Sequence, residues 1–307
     1  RNGELVEEAG HVTDLIAGEA VEWMESRDGN PWFCYVPFTA VHVPVKPVHT
    51  WLDQYQYQHF DDDPRREASF RKYAAYTSHM DQAIGRLLEA LERTCQRERT
   101  VVIFASDNGG NHYADTPQKT SNAPLRDGKG SAYEGAYRVP LIVRWPGKVA
   151  AGTETDEPVT SVDFFPTLRA VSGQKPPANE ELDGMNLLPL LVKKQPLRRK
   201  ALYWHYPHYH HGGASPHGVI RKDQYRLIEH FDGTPAEMYN IEADIGETVN
   251  LVNTMPEKAK ELLKELREWR REVGAQMPTI NPDYDANRVH EAMFYHEWAD
   301  RHRNKTK

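Results

Sequence analysis

The chain has 307 residues, of which 39% are hydrophobic and 27% charged, and a formal net charge of −7. That length buries a sizeable core in one large domain, or in one large and one small. The acidic balance excludes a general electrostatic attraction to nucleic acid or acidic membranes, so an anionic ligand would need a local basic pocket. No apolar run approaches the roughly 18 residues of a membrane span, and no secretory leader pattern opens the sequence. Two cysteines, Cys34 and Cys95, make neither a disulfide framework nor a cysteine metal site.

In chain order, Thr13 is a candidate cap for a helix running to about Ser26, with Leu15, Ile16, Ala20, Trp23 and Met24 on one face. PWFCYVPF (31–38) reads as a buried strand that empties into a proline-punctuated loop carrying His42. Residues 65–93 give the clearest helix, with Tyr73, Tyr76, Met80, Ile84, Leu87 and Leu91 recurring every three or four positions. TVVIFA (100–105) is the next strand, and strand, helix, strand at this spacing predicts a βαβ unit in a parallel sheet. A long aperiodic stretch follows before the strand VPLIVRWPG (139–147), and such a loop inside a compact domain is usually functional. Residues 161–173 read as a short helix stopped by Gly173.

From about 200 the texture changes to short antiparallel strands, then an amphipathic helix over 256–274 with Leu262, Leu263, Leu266, Trp269 and Val273 inward. The expected organisation is an α/β domain over 1–175, a linker over 176–199, a small antiparallel α+β subdomain over 200–275 and a tail over 276–307.

Candidate chemistry gathers where an open α/β sheet binds ligands, outside the carboxyl ends of its strands. His42 follows the first strand, Asp107 and Asn108 follow the second in SDNGG, and Lys129 lies in PLRDGKGSAYEGAYRVP before the third. Asp-Asn-Gly-Gly reads as a turn or as a hard-cation site, because adjacent carboxylate and amide oxygens suit Ca²⁺ or Mg²⁺. Taken singly, His42 is also readable as structural, Lys129 as a solvated charge, and Arg126 and Arg138 as cations that hold the loop together.

Taken in order, AVHVP, MDQAIG, SDNGG, PLRDGKGSAYEGAYRVP, VTSVDFFPTL, LDGMNLLPLL and EMYNIEADIGETVNL resemble the type I sulfatases of the alkaline phosphatase superfamily. The resemblance covers most of the chain and implies an alkaline phosphatase-like, mostly parallel sheet flanked by helices, with a small antiparallel carboxyl-terminal subdomain. It implies Asp107 and Asn108 as part of a Ca²⁺ site, Lys129 as the residue that touches the sulfate, and His42 as a hydrogen-bond donor near its bridging oxygen. Those residue types fit sulfuryl transfer, in which fixed cations and N–H donors stabilise charge building on oxygen. The family also implies a periplasmic or extracellular location.

The family's nucleophile motif, Cys/Ser-x-Pro-x-Arg, is not found: YVPF follows Cys34, QRER follows Cys95, and the proline after Ser215 is out of register. The amino-terminal aspartates, lysine and histidine of the family centre are not found either. The expectation is therefore a chain matching the carboxyl-terminal two-thirds of a sulfatase, inactive alone and needing an amino-terminal partner fragment. Asp127 stands where the family often has glycine, and Ala136 where a second glycine is usual.

The segment YWHYPHYHHGGASPHG (203–218) carries histidines 205, 208, 210, 211 and 217 among aromatic residues. It reads as a surface loop that binds stray metal, as an aromatic cluster, or as a substrate-recognition loop. In the last reading His205, His208 and His210, together with His112 just past the metal ligands, would meet a sulfated carbohydrate, of 4-sulfated galactose type, or an aryl sulfate. Two other readings stay open: a phosphatase or phosphodiesterase of the same superfamily, and a non-catalytic fragment that binds glycan or a partner chain.

Overall fold

A computed structural model describes all residues except 28, 112–119, 175–181, 211–213 and 286–307. The chain begins with helix α1 (Val12–Glu25). Its cap is His11 rather than Thr13: the His11 Nδ1 accepts from the Thr13 amide, and Thr13 is itself fully buried. A short helix α2 (His49–Gln54) interrupts what the sequence presents as loop, and α3 spans Pro64–Arg93 with Asp63 as its cap.

Helix α3 uses two faces. Its small residues Ala75, Ala83 and Ala90, with His79, are the buried side, and α1 packs closely on the helix. Of the large side chains expected to form the core, Tyr76 and Leu91 are buried, whereas Tyr73, Met80, Ile84 and Leu87 line an open cleft and are only half-buried. The helix forms where its apolar periodicity runs, and the tight helix pair forms on the face where small residues let two backbones approach.

Strand β1 (Val102–Ala105) follows, then the one-turn helix α4 (Glu134–Tyr137) and strand β2 (Leu141–Arg144). β1 pairs antiparallel with β2, Val102 opposite Arg144 and Ala105 opposite Leu141. The expected strand over 31–38 alternates in exposure, yet it forms no regular element and joins no ladder. Phe33 (67% exposed) and Tyr35 (76%) face outward there. The parallel βαβ pairing predicted from spacing is thus not made among the described residues: the segment has the sequence and the alternating exposure of a strand but pairs with no neighbour.

Helices α5 (Phe164–Val171) and α6 (Leu188–Lys193) lead into an antiparallel meander of four strands. These are β3 (Leu202–Tyr206), β4 (His217–Lys222), β5 (Tyr225–His230) and β6 (Glu237–Asn240), paired in that order. Helix α7 (Pro256–Glu272) closes one face, with Leu262 and Leu266 on Ile220, Leu227 and Met238. The opposite face does not meet water. Val219, Ile228 and Tyr239 pack on Ala132 and Tyr133, which belong to the long loop before β2. Both faces of β4 and β5 are therefore covered, and the meander is the floor on which that loop rests.

Candidate active site

The loop after β1 and the loop before β2 are knitted together by backbone and amide groups. The Gly109 amide donates to the Ala136 carbonyl at 3.0 Å, and the Lys129 amide to the Gly110 carbonyl at 3.1 Å. The Asn122 side chain bridges both: its Oδ1 accepts from the Gly110 amide, and its Nδ2 donates to the carbonyls of Gly110 and Asp127. Gly109 must lack a side chain, because a Cβ there would overlap the Gly135 carbonyl oxygen. Asp127 has φ 62°, the left-handed region, which explains why glycine suits this position and why aspartate is among the few replacements tolerated.

Asp107, Asn108, Lys129 and His42 line one cleft of about 2900 Å³, which Asn111 and Arg138 also border. Asp107 is exposed and its Oδ1 accepts from the Asn108 amide at 2.9 Å. Asn108 donates its side-chain N–H to the Gly109 carbonyl at 3.0 Å. No described residue hydrogen-bonds Asp107 Oδ2 or Asn108 Oδ1, so one charged and one neutral oxygen keep their lone pairs at the strand end. That donor set fits a hard cation such as Ca²⁺ and supplies part of its usual six to eight oxygens. His42 is exposed, and its Nδ1 contacts the Val43 carbonyl at 2.8 Å, which leaves Nε2 for another partner.

The Lys129 loop is anchored from beneath by Arg126 and by several groups that the sequence did not single out. Arg226 on β5, fully buried, pairs with Glu134 at 2.6 Å and also donates to the Ala132 carbonyl. Glu247, fully buried, accepts from the Glu134 amide at 2.7 Å and lies 3.4 Å from Arg226. Arg126 stacks on the Tyr133 ring at 3.6 Å and donates to the Glu247 carbonyl at 2.8 Å. Glu237 collects hydrogen bonds from Tyr133, Tyr239 and His230. Burial alone would raise its pKa, but those donors pull it down to about 2. Arg126 thus does hold the loop, as one sequence reading had it.

The histidines of the carboxyl-terminal part divide. His210 lies against Gly130, the neighbour of Lys129, and the Ala214 amide donates to the Gly130 carbonyl at 3.2 Å. His208 is exposed beside Tyr206. His205 sits in β3, with its Nε2 on the Gln276 carbonyl at 2.7 Å and its ring beside Phe231. None of the three borders the cleft. His112 and His211 lie outside the described residues. His217 is buried, donates from Nδ1 to the Ser215 carbonyl and accepts at Nε2 from Tyr137 Oη–H at 2.8 Å. Burial pushes it down to about 4 against the backbone bond, so it is neutral at pH 7.

A family model described as Sulfatase matches residues 2–173. The chain belongs to the sulfatase family. A second model, described as N-sulphoglucosamine sulphohydrolase, C-terminal, matches residues 128–275. A protein called Sulfatase from Formosa agariphila is 34% identical over 284 residues, covering 84% of this chain and 50% of its own length. Human N-acetylgalactosamine-6-sulfatase is 30% identical over 195 residues, 63% of this chain and 35% of its own length. The crystal structure of Ps i-CgsB in complex with k-i-k-neocarrahexaose superimposes with a TM-score of 0.76 and 28% identity, covering 87% of this chain and 56% of that one. The chain spans about half the length or less of the curated relatives named here. The fold is accordingly the alkaline phosphatase-like α/β fold of the sulfatases, represented by its carboxyl-terminal part with the small antiparallel subdomain. Among the described residues no helix is long and apolar enough to cross a membrane.

Proposed function

We propose that this chain carries the Lys129 side of a sulfatase centre that hydrolyses a sulfate ester on a carbohydrate. One observation carries the reading: Asp107, Asn108, Lys129 and His42, from three separate loops, border a single cleft, with the Lys129 and Asp107 loops tied by direct backbone hydrogen bonds. Lys129 is the compact cation for a sulfate oxygen. His42 offers Nε2 to the ester's bridging oxygen, where a proton must arrive as the alcohol leaves. Asp107 and Asn108 would hold Ca²⁺, whose charge would draw electron density from sulfate oxygens.

The nucleophile motif of the family is not in these 307 residues. We therefore infer that turnover needs an amino-terminal sulfatase part that covers the apolar cleft wall, and that the isolated chain binds without hydrolysing. For the substrate we propose a sulfated galactose-type sugar, with the 4-sulfate as the position to test first and aryl sulfates as the second acceptor class. Similarity to a galactosamine sulfatase and to a structure holding a neocarrahexaose supports the galactose type. His210 beside the Lys129 loop supports a recognition role for the histidine segment. Export to the periplasm or cell exterior would fit such a substrate.

Calorimetry of the chain in Ca²⁺ with a 4-sulfated galactose oligosaccharide and with its desulfated counterpart tests this. The sulfated sugar should bind preferentially, and Lys129→Ala should remove the preference. Equal binding of both sugars, or aryl sulfate turnover by the isolated chain, would overturn it.

A further inference from the structure

Helix α1 opens with an uncommon cap. Serine, threonine, aspartate and asparagine are the preferred caps, whereas here the cap is His11, and Asp14 follows one turn on. Directly opposite, the small-residue face of α3 is interrupted by His79, 2% exposed between Ala75 and Ala83. We propose that His11, Asp14 and His79 form a zinc site that staples the start of α1 to the middle of α3, separate in residues and in ligand type from the Asp107–Asn108 pair.

One ligand atom from each of the three residues lies within 4.8 Å of the other two. The His11 and His79 rings are 4.5 Å apart, centre to centre, and His79 Nε2 is 2.8 Å from Asp14 Oδ2. Each of His11 and Asp14 is oriented from behind. His11 Nε2 donates to the Lys46 carbonyl at 2.8 Å, which fixes the tautomer and leaves the Nδ1 lone pair, engaged only by the Thr13 amide at 3.2 Å. Arg86 donates to Asp14 Oδ1 at 2.8 Å and so turns Oδ2 toward His79. Such outer partners are what holds metal-binding imidazoles and carboxylates in place. Independently, His79 Nδ1 is buried with no hydrogen-bond partner among the described residues, a rare state for an interior nitrogen and one that a bound ion or water commonly explains.

Two imidazoles and one carboxylate suit Zn²⁺, a borderline ion, better than Ca²⁺, which takes oxygen. Three protein ligands leave the fourth tetrahedral position for water. On uptake the His79–Asp14 hydrogen bond opens: Nε2 gives its proton to solvent and takes the metal, and Nδ1, which has no hydrogen-bond partner, takes up a proton from solvent, so the ring stays neutral. His11 is half-buried and borders the cleft, which provides an entry path.

The test is Zn²⁺ titration of the full chain by calorimetry, with metal analysis after dialysis and Co²⁺ substitution read by visible absorption. A His208→Gln/His210→Gln/His211→Gln background removes three histidines of the 203–218 segment as competing zinc ligands. One equivalent should remain there, with the visible bands of a tetrahedral nitrogen–oxygen site. His11→Gln and His79→Gln should each abolish that equivalent. Asp14→Asn should weaken it by about tenfold or more, since it removes the carboxylate charge from the ligand set. Far-UV circular dichroism checks folding, and if His79→Gln does not fold, His11→Gln and Asp14→Asn decide. An equivalent that survives His11→Gln, an affinity unmoved by Asp14→Asn, or no uptake by the intact chain overturns the proposal.

Discussion

The imidazole of His210 occupies the space where a side chain at Gly130 would stand. The contact joins the carboxyl-terminal histidine segment to the residue next to Lys129, and Gly130 holds it with φ +80°, a conformation that L side chains rarely adopt. Gly130→Ala should therefore strain the backbone and displace His210 together. The expected loss is about 1–3 kcal/mol of stability, read from the urea midpoint, with weaker sulfated-sugar binding. Gly147→Ala, also at positive φ but with open space around it, should cost stability alone.

Gly109 presents the sharper steric case. A Cβ there would collide with the Gly135 carbonyl oxygen, which is fixed backbone rather than a movable side-chain tip. Gly109→Ala should force the Asp107 and Lys129 loops apart and lower Ca²⁺ affinity, with little change in α3 or α7. Ca²⁺ calorimetry beside far-UV circular dichroism would check this. Unchanged calcium binding would mean that the two loops are not mechanically linked.

Arg226 stands between Glu134 and Glu247, and none of the three meets water. Removing one member of a buried ion network leaves uncompensated charge and typically costs about 3–5 kcal/mol. Arg226→Met should do so, while Lys260→Met, on an exposed pair with Glu257, should change stability by less than about 1 kcal/mol. Chemical denaturation of both variants gives the comparison.

Acid should destabilise the chain in two stages. His217 sits at about 4 when folded against an ordinary 6.5, so the unfolded chain binds more protons between these values. Stability attributable to His217 is full above pH 6.5 and falls toward pH 4, by up to about 1.4 kcal/mol per pH unit. Glu237, held at about 2 against an ordinary 4.5, has the opposite protonation chemistry and the same direction, with its contribution lost from pH 4.5 down to 2. His217→Gln should flatten the upper stage only, as read from melting temperature against pH.

The long helices were legible because their apolar periodicity is local. The sequence placed α3 over 65–93 and α7 over 256–274, and the structure gives Pro64–Arg93 and Pro256–Glu272. Residues 31–38 were legible as strand in composition and in alternating exposure, but pairing depends on a neighbour, and composition does not reveal one. The candidate site was legible where one short motif sits at a strand end, as with Asp107 and Asn108. Apart from Arg126, its anchoring was not. Arg226, Glu134 and Glu247 are charged residues about a hundred positions apart or adjacent only in space, and each looks like an ordinary surface charge when read along the chain. Asn122, which bridges both site loops, sits in a run of turn-forming residues with nothing to distinguish it. His205 was grouped with the recognition loop by its neighbours in sequence, yet strand alternation turned it toward Gln276.

The two family models overlap over residues 128–173, the stretch that includes the loop resting on the four-stranded meander. Seams between evolutionary modules are commonly drawn where few interactions cross. Here the most deeply buried ionic cluster crosses it. A protein trimmed to end after α5 would keep Lys129 in its sequence while discarding the floor beneath it. Such a truncation would fail by loss of preorganisation, and the carboxyl-terminal meander is better regarded as the foundation of the Lys129 loop than as an accessory to it.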